Sequence, residues 1–359
     1  MAGITAFIFS DEYMKYQFGP THPMQPIRLK RTFDILKKSG AFGEKARHYE
    51  PAPAREDEIR LVHSKDYVDF VKRVSSTGGV LLDRGDTPAV KGIYEGACSV
   101  VGGSILGAKL LLEKEVSHAF NPGGGLHHAK ESEASGFCVF NDIAIATRIL
   151  QKSGFERIAI LDVDGHHADG TQEILYSEPI LKISLHRSGV FFFPGTGFVE
   201  EIGEGKGEGY SVNIPLPPRT DDDSYLYAFE QIVPPLMRAY RPQIILNQFG
   251  VDGHYNDPLV GLSLTTRTFG RVAETVHNLA HELCEGRYLL FGGGGYELEN
   301  TARCWALVFL IVSEALPKED ISKLSDTFHP PKNNEVARTV RQTVEEVKKI
   351  IFPYHNIAP

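Results

Sequence analysis

Short apolar runs alternate with longer segments of helical period along almost the whole chain. Ile158-Ala159-Ile160-Leu161 has the length and β-branched content of a strand covered on both faces. Comparable runs at residues 4–10, about 116–120, 181–186, 209–216, 243–249 and 288–291 predict further strands. Helices are predicted from about residue 27 to the stop signal Ser39-Gly40, over 61–71, about 92–112, 140–150, 223–240 and 268–284. A last amphipathic helix follows in the tail, where Val336, Val340, Val344, Val347 and Ile351 recur at helical spacing. The small residues of 92–112 imply close packing in the interior. Strand–helix alternation of this kind predicts an α/β fold, one doubly wound, mostly parallel sheet flanked by helices, with residues 1–359 as a single domain.

The strand at 158 ends in charge. Asp162, Asp164 and His166 alternate with Val163 and Gly165, so their side chains leave an extended backbone on one side, and His167 and Asp169 follow within a turn. Three carboxylates and two imidazoles at the end of a buried strand repel one another and lose hydration unless something compensates, and a metal ion is the simplest compensation. In open parallel sheets the ligand crevice lies beyond the carboxyl ends of the strands. His127-His128 after the glycines 123–125, the 162–169 stretch, Asp252, and Tyr296 after four glycines each lie just past a predicted strand, so the fold gathers them.

A catalytic zinc takes about three protein ligands and keeps a position open for water, a count that Asp164, His166 and Asp252 fit. Two aspartates and one histidine make a donor set hard enough for ferrous iron or cobalt to compete. Hydrolysis also needs a base for water and an acid for the leaving group. His127 and His128 are available for these tasks, with Asp162 and Asp169 each able to orient one imidazole. Tyr296 on its glycine-rich loop can donate to an oxyanion. Together these parts suit hydrolysis of an amide or ester.

Composition narrows the remaining classes. At 359 residues, 42% apolar and 23% charged, with no uninterrupted apolar run of spanning length, the chain reads as neither disordered nor membrane-embedded. The N-terminus lacks a basic start and a small-residue cleavage pattern, so no secretion signal is expected. A net charge of −8 with no basic run argues against direct nucleic-acid binding. Cys98, Cys138, Cys284 and Cys304 are far apart, with no Cys-x-x-Cys, and read as reduced thiols of a cytoplasmic protein.

The segments GGGLHHAKESEASGFCVFND, DVDGHHADGTQ, SLH followed by FFFPGTG, GVDGHYNDPL and GGGGY, in this order, strongly resemble the zinc-dependent histone deacetylase superfamily, including its bacterial and archaeal acetoin-utilisation-type members. The likeness runs from His22 to about Trp305. It implies zinc ligands Asp164, His166 and Asp252, and His128 as general base and acid paired with Asp169. It also implies that His127, paired with Asp162, acts mainly electrostatically, and that Tyr296 polarises the acetyl carbonyl. By the same resemblance Phe137 and Phe193 are walls of a tunnel for lysine methylenes, Gly136 a further substrate-binding residue, and Leu259 a residue of the mouth. Asp86 resembles a rim carboxylate for the substrate backbone, and Arg28 a residue lining an inner cavity where acetate leaves. A monovalent cation, usually potassium, is implied at backbone carbonyls of Asp162, Asp164 and His166 together with Ser184 and Leu185. Asp169 follows the class I pattern, whereas Gly170-Thr171-Gln172 and Asp257-Pro258-Leu259 look like class II.

The resemblance points to an N-ε-acetyl-lysine peptide or protein as substrate, with acetate released. An acetylpolyamine or other small acetylated amine is the first alternative. An arginase-like two-metal hydrolase is the second; it needs more carboxylate ligands bridging two ions, and His127-His128 lack the intervening Asp pattern. A non-catalytic acyl-lysine binding module is the third.

Overall fold

Alternate side chains of each strand enter different cores, and this puts helices on both faces of one sheet. In the computed structural model, which describes residues 3–358, Ile158 and Ile160 join a cluster with Ala108, Leu111, Ile143 and Leu150. Ala159 and Leu161 point the other way, into a larger cluster that includes Phe229, Phe269 and Trp305.

The elements run β1 (Thr5–Ile8), α1 (Ile27–Lys38), β2 (Ala46–Tyr49), α2 (Glu56–Ile59), α3 (Lys65–Ser75), α4 (Ile93–Leu112), β3 (His118–Asn121), α5 (Asp142–Lys152), β4 (Ile158–Asp162), α6 (Asp169–Ile174) and β5 (Leu181–Arg187). They continue through β6 (Ser211–Leu216), α7 (Asp222–Tyr240), β7 (Ile244–Gln248), α8 (Thr266–Leu283), β8 (Tyr288–Phe291), α9 (Leu298–Ser313), α10 (Lys318–Ile321) and α11 (Asn334–Ile351). The eight strands form one sheet in the order β2-β1-β3-β8-β7-β4-β5-β6, and every pairing is parallel. β3, β8, β7, β4 and β5 are consecutive neighbours. The loops leaving their carboxyl ends therefore meet over the middle of the sheet.

The expected strands and helices are present, with shifts at their ends. The helix expected at 61–71 starts only at Lys65, as α3, because Ser64 caps it by accepting from the Tyr67 amide, and residues 61–63 are a turn. Likewise α5 begins at Asp142 because the Asn141 side chain accepts from the Ala144 amide. Five of these elements were not foreseen, namely α9, β2 and the short helices α2, α6 and α10. α9, WALVFLIV at its centre, is apolar all round and shows no amphipathic period, while β2, ARHY, is a short polar strand at the sheet edge. α4 is, among the described residues, the one helix long and apolar enough to cross a bilayer by length and composition. Most of it lies inside the fold, against α3, α5 and β3.

Candidate active site

β4, β7 and β8 carry the centre of the site. Asp164 and His166 follow β4, Asp252 follows β7, and each offers one ligand atom within 4.8 Å of the other two, all three side chains being buried. His166 Nδ1 lies 2.9 Å from Asp252 Oδ2 and 3.2 Å from Asp164 Oδ1. Burial pushes the Asp252 carboxyl up to about 7, helped by Asp164. Burial opposes charge on His166, but hydrogen bonds to the two aspartates overcome it and drive the ring up to about 10. Such a donor set demands positive charge at its centre, and its three converging atoms fit a divalent cation with a coordination place to spare.

The ligand atoms are held from outside. The Gln248 amide nitrogen and the Gly294 backbone amide each donate to Asp164 Oδ2 at 2.7 Å, and the Gly165 amide donates to Asp252 Oδ1 at 2.7 Å. Phe192 stacks on His166, with ring centroids 5.0 Å apart and planes 13° apart, and the Arg187 guanidinium lies 4.2 Å from the Phe192 ring centre. The pattern FFF suggests three exposed phenylalanines. Phe191 and Phe193 are exposed, but Phe192 is partly buried because it is committed to His166.

Beside the triad stand two histidine–aspartate pairs. His127 Nδ1 is 2.8 Å from Asp162 Oδ2, His128 Nδ1 is 2.6 Å from Asp169 Oδ1, and the two Nε2 atoms face one another at 3.0 Å. Burial disfavours charge on both rings. For His127 the Asp162 and Asp164 carboxylates outweigh burial and lift it to about 9, whereas burial together with the His127 charge lowers His128 to about 4 despite Asp169. These influences leave His127 charged and His128 neutral, with the His128 Nε2 unprotonated. The backbone amides of Gly125 and Leu126, just ahead of the two histidines in the chain, donate to the buried Asp142.

A cavity of about 650 Å³ leads from the surface to His128, His166 and Tyr296. Phe193, 46% exposed, packs edge-on against His128 at 4.9 Å; Phe137, 8% exposed, packs edge-on against Tyr296 at 5.9 Å. The two phenyl rings thus line different sides. Phe137 is held at φ 66° by Tyr16, whose hydroxyl donates to its carbonyl, and by Thr87, whose hydroxyl accepts from its amide. Gly136, at φ +51°, leaves the cavity open: a Cβ there would stand 2.5 Å from His128 and 2.9 Å from Phe193. Leu259 and Asp86 line the mouth. The Asp86 carbonyl meets His22 Nε2 at 3.0 Å, and the His22 ring supports Phe137 at 4.5 Å.

Arg28 is buried. Its Nη1 donates to the Gly295 carbonyl at 2.7 Å, and its guanidinium lies 5.0 Å from the Trp305 ring and 6.0 Å from that of Tyr296. The Tyr296 amide donates to Asp257 Oδ2 at 2.8 Å, and Asp257 Oδ1 accepts from the Leu259 amide. Ser184 pairs with Asp162 across β4 and β5, and a small void of about 10 Å³ touches Asp162, His167 and Ser184. Leu185 is buried in β5 beside them.

Sequence reading missed Gln248, Asp142, Asp257, Arg187 and Phe192 as supports of this site. Only Gln248 carries a local signal, as an amide closing an otherwise apolar strand, IILNQ.

An all-parallel α/β sheet whose crevice holds an Asp-His-Asp triad beside two His–Asp pairs defines a hydrolase. A family profile described as "Histone deacetylase domain" matches residues 22–312. The chain belongs to this family, and is accordingly a hydrolase acting on acetylated amides. It is 38% identical over 327 residues to the acetoin utilization protein AcuC of Bacillus subtilis (strain 168), covering 88% of this chain and 84% of that protein. It is 37% identical over 364 residues to a probable deacetylase of Archaeoglobus fulgidus, covering 98% of each. The crystal structure of an HDAC homologue complexed with SAHA superposes with a TM-score of 0.84 at 29% identity, covering 96% of this chain and 99% of that one.

Proposed function

We propose that the enzyme hydrolyses the amide of N-ε-acetyl-lysine in peptides or proteins, releasing acetate, with one zinc ion held by Asp164, His166 and Asp252. When bound, zinc supplies Lewis-acid charge that polarises the acetyl carbonyl and the attacking water. The observation that carries this reading is the meeting of the triad with both His–Asp pairs at the inner end of a phenylalanine-lined cavity.

The neutral His128 takes the proton of the attacking water at Nε2, its Nδ1–H steadied by Asp169, and returns it to the leaving amine nitrogen. His127, charged against Asp162, stabilises the negative charge that develops on the acetyl group. Tyr296, a protonated phenol that burial keeps well above its ordinary range, donates to the acetyl oxygen. Phe137, Gly136 and Phe193 shape a slot for a methylene chain, Leu259 borders its mouth, and Asp86 accepts from the substrate backbone at the rim. Arg28 places a fixed positive charge behind Tyr296, where acetate leaves.

Potassium is proposed at the carbonyls of Asp162, Asp164 and His166 with Ser184 and Leu185. Of these residues Asp162 and Ser184 border a void the size of one small ion or water, which Lys182 also lines. Four free, buried thiols support a cytoplasmic setting, and one continuous sheet supports a single domain over residues 1–359.

Small acetylated polyamines are the second reading. Leu259 offers no charge to a cationic chain, but Asp83, Asp86 and Glu133 line the same cavity, beside the cations Arg84 and Lys130. Side-by-side rates on an acetyl-lysine peptide and on acetylspermidine decide between them. A higher kcat/KM on the peptide is expected, and a large preference for acetylspermidine overturns the first reading.

A further inference from the structure

At the opposite end of the sheet, three histidines converge. His118 is the first residue of β3, and His277 and His281 stand one turn apart on α8, so that both face the same way. Each offers a ring nitrogen within 4.8 Å of the other two, one of two such three-ligand groups among the described residues. The ring centroids are 4.8, 5.0 and 4.7 Å apart.

Two features set this cluster apart from chance neighbours. His118 Nε2 and His281 Nε2 face each other at 3.2 Å, and two nitrogens at about 2.0–2.1 Å from a tetrahedral zinc stand roughly 3.3 Å apart. His118 is 2% exposed, and while its Nε2 faces His281, its Nδ1 has no hydrogen-bond partner. Gly286, at φ +81°, keeps the space clear. A Cβ there would lie 2.9 Å from His281 and 3.5 Å from His118.

Glu274 and Glu314 stand near His277 and favour positive charge there. A surface cavity of about 610 Å³ reaches His277 together with Glu274 and Glu314.

We propose that His118, His277 and His281 form a second metal site, for a first-row divalent cation of the zinc class that favours imidazole ligands. It ties α8 to the amino end of β3. The catalytic residues lie beyond the carboxyl ends of the strands, so this site is separate from them and takes no part in the reaction.

The test is zinc stoichiometry by elemental analysis, after chelation and equilibrium dialysis of the full chain against zinc, in wild type, His281→Ala, Asp252→Ala and the double variant. His281 is exposed, so its removal leaves the core intact. The expected contents are two ions per chain, one, one and none, following the two ligand groups. Zinc should also raise the Tm of Asp252→Ala and leave that of the double variant unmoved. One ion in wild type, or two retained by His281→Ala, overturns the proposal. Loss of zinc from Asp252→Ala alone tests the catalytic site independently.

Discussion

His128 Nδ1 sits 2.6 Å from Asp169 Oδ1, which fixes the proton of that imidazole on Nδ1 and turns Nε2 into the cavity as an acceptor. Asp169→Asn removes the anion and permits the wrong tautomer. The expected outcome is a fall in kcat of roughly a hundredfold or more, within the range of lost general acid–base catalysis, with zinc content unchanged. An unaltered kcat removes the pair from the mechanism.

Tyr296→Phe deletes the proposed donor to the acetyl oxygen and leaves Asp257, which holds the backbone of that loop, in place. Turnover should drop by roughly a hundredfold or more, as for loss of one oxyanion donor, while zinc stays bound. Wild-type turnover would assign the phenol no catalytic part.

Gly136→Ala inserts a methyl between His128 and Phe193, where its Cβ would meet atoms at 2.5 and 2.9 Å. Steady-state kinetics should show kcat/KM on acetyl-lysine peptides reduced at least tenfold, with zinc content unchanged and Tm lowered, because alanine is strained at φ +51°. Wild-type kinetics would mean that the substrate does not pass this wall.

His63 is buried and structural. Its Nε2 accepts from the Asn141 amide at 2.9 Å, just before α5, and burial holds the ring down to about 4 from an ordinary 6.5. Between those values the unfolded chain binds the proton and the fold does not, so stability falls as pH drops from about 6.5 to 4, by up to about 3 kcal/mol from this group. His63→Gln should flatten the fall of Tm between pH 7 and pH 5. An equally steep fall in the variant would show that other groups carry it.

Most of the fold and the reactive residues were legible because they depend on local pattern. β4 announces itself as an apolar run closing in Asp162, and the glycine-rich loops mark where strands end. What stayed hidden depends on long-range packing. α9 has no polar face to give it a period, Phe192 looks like its exposed neighbours until Arg187 and His166 close on it, and Asp142 acts through backbone amides of a distant loop. The three-histidine cluster joins residues over 150 positions apart, and no spacing rule brings His118 to His277.

The central claim is that Asp164, His166 and Asp252 hold the ion at which an acetylated amine is hydrolysed. Its most direct test measures acetate release and bound zinc together, on an acetyl-lysine peptide, in the His281→Ala protein with and without Asp252→Ala. With Asp252 present, one zinc per chain and acetate equimolar with free lysine are expected; without it, neither. Wild-type acetate release with zinc retained in the absence of Asp252, or no acetate from the fully zinc-loaded protein, would contradict the account.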